Sequence, residues 1–191
     1  MSFVPRGAPV LRDPRAMRAL AHPARLAILE RLSTGGPATA TECAEVTGQS
    51  PSACSYHLRA LARWGLVAEA AGHDRRERRW GVTGPFVFAD HDSPRDPAVA
   101  AAEHALTGQV LARATDRVLA WMDRSDEEVP EWRAATLVAN RALVLTADEL
   151  TALLDQVDRL CKPYVASERR ETAPAGARVV RLHLSAVPDP A

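Results

Sequence analysis

The residues most able to do chemistry lie between Ser50 and Arg63 in the run SPSACSYHLRALAR. Ser52, Ser55, Tyr56, Arg59 and Arg63 fall on one side of a helix, and Cys54, Leu58, Leu61 and Ala62 on the other. Small hydroxyls near a helix N-terminus permit close approach to a groove. Arg59 and Arg63 can reach phosphate oxygens or the O6/N7 edge of guanine, and the helix N-terminus itself favours an anion. Ser50, which would cap the helix, joins this set. The plainer alternative is an ordinary solvated helix face. Downstream, Arg75, Arg76 and Arg78 crowd a polar turn and could reach a minor groove or phosphates. Charged hairpin tips also occur with no such role.

Other chemistries are less well supplied. Cys43, Cys54 and Cys161 form no disulfide framework and suit a reducing cytosol. Cys43 and Cys54 are eleven residues apart on different helices, which is not metal-ligand spacing. A metal- or thiol-responsive site built on them is the lesser alternative to packing, and Cys161 has no role beyond packing. The chain has no GxGxxG, P-loop, GxSxG or HExxH run, and His91 and Asp92 sit in a proline-rich stretch unsuited to a preorganised site. No enzyme and no cofactor are expected.

The elements that position the helix are legible around it. Thr39 and Glu42 make a capping box, Gly48 a helix stop, and Ser50-Pro51 a cap followed by a first-turn proline. Two short helices around a glycine turn are a helix-turn-helix pattern. Ahead of it, Asp13-Pro14 opens a helix through about Ala21, with Met17 and Leu20 facing its core. His22-Pro23 restarts a second helix, with Leu26, Ile28, Leu29 and Leu32 as its apolar face. After Gly65 the period changes. Leu66 to Glu69 and Arg79 to Thr83 read as two strands around a turn at 72–77.

In this order, ALAHPARLAILERL (19–32), TECAEVTGQSPSACSYHLRALARWGLV (41–67) and the arginine-rich hairpin resemble the ArsR-type winged-helix transcriptional regulators of bacteria. The strongest parts of the match are His22-Pro23-Ala24-Arg25 and Ser55 to Leu61. The resemblance spans roughly residues 12–83 and implies a homodimer on a palindromic operator, usually a repressor released by an effector. The cysteine motif of the metal-sensing members is absent. Cys43 falls where the family has a core Leu and Cys54 where it has Val, so both read as small buried hydrophobes. For His57 the resemblance suggests a DNA contact; the alternative is a half-buried histidine bonded to the helix-turn-helix framework. His22 and Arg25 shape a helix start and touch phosphate.

The predicted fold is α+β: an arm (1–10), a winged helix-turn-helix domain (11–83), a linker (84–97), and a dimerisation or effector-binding part (98–191). That last part opens on a long helix, 98–123, whose apolar stripe of Val99, Ala102, Leu106, Val110, Ala114, Val118, Leu119 and Met122 suits its own domain or a partner copy. Two short strands are expected within 132–145, a capped helix from Thr146 with Leu150, Leu153, Leu154, Val157 and Leu160 inward, and a strand over 179–187. Together they predict a small α+β module. Trp121, Trp132 and Tyr164 could line a pocket for an organic effector, or serve as core.

Composition agrees with this division. The chain has 191 residues, 47% of them hydrophobic, and formal net charge zero. Up to Thr83 there are twelve arginines against seven acids; from Gly84 there are twelve basic residues against seventeen acids. A basic half beside an acidic half fits a nucleic-acid-binding domain joined to something else. No stretch has the length of a membrane span and the N-terminus has no signal-peptide core. The expectation is a cytoplasmic homodimer whose partner is double-stranded DNA. A winged helix used only for protein contacts is the competing class.

Overall fold

The computed structural model describes residues 11–70, 78–84 and 96–189. Four helices build the N-terminal part: α1 (Pro14–Leu20), α2 (Pro23–Gly35), α3 (Ala40–Thr47) and α4 (Pro51–Arg63). Local chemistry starts each one. Asp13 accepts from the Arg15 amide at 2.7 Å and Pro14 takes the first position of α1. His22 Nδ1 accepts from the Ala24 amide at 3.2 Å at the head of α2. Thr39 and Glu42 close both bonds of a capping box on α3. Ser50 caps α4 through the Ala53 amide. Gly48, at φ +64°, ends α3 in the left-handed region that a residue without Cβ occupies at little cost.

Strands β1 (Val67–Glu69) and β2 (Trp80–Val82) pair antiparallel, with Val67 opposite Val82 and Glu69 opposite Trp80. Ala38 adds a single bridge to Trp80, tying the entrance of α3 to the same sheet. The core beneath joins Met17, Leu20, Ile28, Leu32, Cys43, Cys54, Leu58, Leu61, Val67 and Trp80. The expected turn at 72–77, with Arg75 and Arg76, lies outside the described residues, as do the arm 1–10 and most of the linker, including His91 and Asp92.

Helix α5 (Pro97–Met122) starts one residue earlier than expected, capped by Asp96 through the Ala98 amide. Its stripe divides. Ala102 and Leu106 are buried in the N-terminal core, where α5 lies against α1, and Val99 and Val110 pack beside them. Val118, Leu119 and Met122 are exposed. A second fastening comes from charge. Glu30 on α2, with 27% of its side chain exposed, accepts from Arg113 at 2.6 Å and from Arg117. Burial raises the Glu30 pKa, but the two guanidiniums outweigh it and hold the carboxyl below its ordinary range.

The expected α+β module beyond α5 needs correction. Where two strands were expected in 132–145, Pro130–Ala135 is a short helix, α6, and 136–145 form neither helix nor ladder. Helix α7 (Ala147–Cys161) forms as expected on the capping box of Thr146 and Glu149; of its apolar face Leu150, Leu153, Leu154 and Val157 are half-buried and Leu160 is exposed. After a 3-10 turn at Lys162–Tyr164 and the short α8 (Ala166–Arg169), residues 179–187 join no sheet. Among the described residues β1 and β2 are the only strands. The Leu- and Val-rich 136–145 and the alternating 179–187 are strand-like in composition, but a strand needs a neighbour for its N–H and C=O groups, and among the described residues no backbone hydrogen bond joins 137–145 or 179–187 to one.

Candidate nucleic-acid interface

The two faces of α4 separate as its sequence requires. Cys54, Leu58 and Leu61 are fully buried and anchor the helix to α2 and α3. Ser50, Ser52, Tyr56, Arg59 and Arg63 are exposed, and Ser55 and Ala62 are half-buried. Tyr56 presents 54% of its surface although it is a large aromatic residue. Tyr56, Arg59, Ala62 and Arg63 line one open concavity along the helix. The Ser50 and Ser52 hydroxyls stand 3.0 Å apart at the helix head. The site is therefore a capped helix, held by its apolar side, that offers hydroxyls at its start and guanidiniums further along. Such a surface can meet a phosphate backbone and base edges together.

His57 stands apart from this surface. It is only 8% exposed, and its ring lies 4.7 Å from that of His22. Its Nδ1 accepts from Arg25 Nε at 3.4 Å, while Arg25 also donates to the Ala19 carbonyl at 2.6 Å. This geometry favours the framework role over the DNA contact. Burial first, then His22 and Arg25 beside it, lowers the His57 pKa; burial and then Arg25 lowers that of His22.

Arg78 Nε pairs with Glu69 across the hairpin at 3.1 Å, both side chains well exposed, and its guanidinium lies 5.9 Å from the Trp80 ring. Arg79, which sequence reasoning had not singled out, does structural work. It donates to the Pro37 carbonyl at 2.7 Å and to Glu42 at 3.2 Å, joining β2 to the head of α3. The Glu42 pKa is lowered chiefly by the Thr39 amide, against burial and with help from Arg79. Only the arginine-rich composition of the hairpin could have hinted at this bond.

The cysteines read as packing. Cys43 and Cys54 are fully buried, and Cys54 Sγ lies 3.2 Å from the Thr47 hydroxyl. Burial, reinforced by Cys54, pushes the Cys43 thiol up to about 11, so it stays protonated and a poor ligand or nucleophile near neutrality. Among the described residues no three His, Cys, Asp or Glu side chains group as a metal site. The proposed effector residues each meet a different arginine: Trp121 faces Arg124, Trp132 faces Arg178 and Tyr164 faces Arg169. Tyr164 is largely exposed.

Capped helices, a glycine turn and an exposed arginine-bearing second helix define a helix-turn-helix domain. Residues 20–70 match the family model described as a helix-turn-helix domain, a span that takes in α2, α3, α4 and β1. That match supports DNA binding in transcription regulation. No curated protein matches the chain. No helix among the described residues is long and apolar enough to cross a membrane.

Proposed function

We propose that this chain is a sequence-specific, DNA-binding transcriptional regulator of the ArsR-like winged-helix kind, acting in the cytoplasm as a homodimeric repressor on an inverted-repeat operator. The observation that carries the reading is the outward face of α4, where Ser52, Tyr56, Arg59 and Arg63 are exposed while Cys54, Leu58 and Leu61 opposite are fully buried. In this reading α4 enters the major groove, and two copies place their helices in successive grooves about one turn apart. Ser50 and Ser55 approach the backbone at the helix head, and Arg75, Arg76 and Arg78 form a wing over the flanking groove. Residues 98–191 serve assembly, and an organic effector acting on that half would relieve repression. The buried, protonated state of Cys43 speaks against a metal or thiol trigger there.

The test is selection of bound fragments from genomic or random DNA by the purified chain at near-physiological salt. An enriched inverted repeat supports the reading. Binding that has no preferred sequence and vanishes as salt rises would overturn it in favour of a protein-interaction role.

A further inference from the structure

The C-terminal half is rich in surface that a folded chain normally covers. Leu137, Val144, Val180, Leu182 and Val187 lie in two segments, 137–145 and 179–187, and all are mostly exposed; Val144 reaches 103%. Together the exposed Leu and Val residues of these segments present on the order of 1,000 Å², against about 800 Å² per partner in a standard stable interface. Their composition is that of buried strands. Among the described residues, no backbone group in either segment makes a backbone hydrogen bond. Both are irregular in the single chain, strand-like in composition, with their backbone groups open to a ladder.

We propose that residues 137–145 and 179–187 are the strands of a sheet shared between two copies of this chain, with α7 covering one face. The proposal rests on the homodimer reading above and names its surface. The chain's own contacts favour a second copy as the occupant. Arg178 is held by Glu128 at 2.8 Å and lies over Trp132, while Arg181 reaches the Glu30 carbonyl and the Thr34 hydroxyl. The second segment is thus fastened at its start, yet it leaves its edge and that of 137–145 without a mate. A two-fold partner supplies both missing edges at once and in equal number, which one added strand from a foreign protein would not do. The apolar face of α7, half-buried at Leu150, Leu153, Leu154 and Val157 and exposed at Leu160, gains a layer to rest on in the same assembly. The covering is thus a β-α-β unit completed across the two-fold axis.

The test combines sedimentation with amide hydrogen exchange on the full chain, across a dilution series. The expected result is a dimer whose amides in 137–145 and 179–187 exchange at least tenfold more slowly than unstructured chain. Both segments should lose that protection together as dilution yields monomer. The paired substitution Val144→Asp with Leu182→Asp should give monomer at concentrations where the parent is dimer, with helix content retained. Should that variant not fold, the dilution series on the parent decides alone. A dimer with freely exchanging segments would overturn the shared sheet and leave the homodimer standing. A monomer at every concentration would overturn both. Protection that persists in the monomer would show pairing within one chain and overturn the proposal.

Discussion

Arg25 Nε and His57 Nδ1 meet at 3.4 Å, joining the first turn of α2 to the middle of α4 across 32 residues of sequence. Because Nδ1 accepts this bond, the neutral His57 ring carries its proton on Nε2. His22, 4.7 Å away, is constrained alike, since its Nδ1 accepts from the Ala24 amide. A proton added to either Nδ1 would cost a hydrogen bond and set a further cation beside Arg25. The placement of α4 is thus tied to two neutral imidazoles.

This arrangement makes stability depend on pH. Both histidines titrate below 6.5 in the folded chain, so near that pH the unfolded chain binds more protons. Their contribution is fully present above about 6.5 and falls as pH drops from there through the lowered folded values. Urea unfolding between pH 7.5 and 5.5 should show stability declining with acid, and His57→Gln should flatten the decline. An unchanged slope in the variant would remove His57 from the account.

Arg59 projects from the middle of the exposed face of α4. Arg59→Ala should weaken binding to the selected operator by roughly 1–3 kcal/mol if the guanidinium reads a base. The loss on random DNA should then be smaller. Equal losses on both, with a shallower salt dependence, would make Arg59 a phosphate anchor. Competition titrations at two salt concentrations separate these outcomes.

Thr39→Ala removes half of the capping box that starts α3. The expected cost is about 0.5–2 kcal/mol of stability, read from chemical denaturation. Operator preference should not change, because Thr39 is not on the outward face of α4.

Leu58 is fully buried where α4 meets the core. Leu58→Ala should destabilise the chain by about 2–5 kcal/mol, through lost burial and the cavity left behind. Thermal unfolding would register it. A loss well under this range would mean that the N-terminal core repacks around the smaller residue.

The helix-turn-helix could be read from sequence because its determinants are local. Thr39, Glu42, Gly48, Ser50 and Pro51 act within a few residues of themselves, and Cys54, Leu58 and Leu61 mark the inward face by spacing alone. The bonds that lock the domain could not be read in this way. Arg79 and Glu42 are 37 residues apart, and Arg113 and Glu30 are 83. Nothing in either neighbourhood names its partner. The C-terminal half misled for a related reason. Leu137 to Leu145 and Val179 to Val187 have the side chains of strands, but pairing is a property of two segments, and among the described residues no ladder joins them. Pro130 is at home in the first turn of a helix, and α6 places it there where strands were expected.

Helix α5 has a mechanical consequence. It is held by α1 around Leu106 and clipped to α2 at Arg113 and Arg117, and it then runs on to Met122 at the junction with the C-terminal half. From Leu106 to Met122 is about 24 Å at 1.5 Å per residue, so a tilt of about 5° about Leu106 would carry the far end some ~2 Å. The helix is a lever with its fulcrum in the DNA-binding core, and Glu30 is the spring that sets how stiffly it answers to a load at its other end.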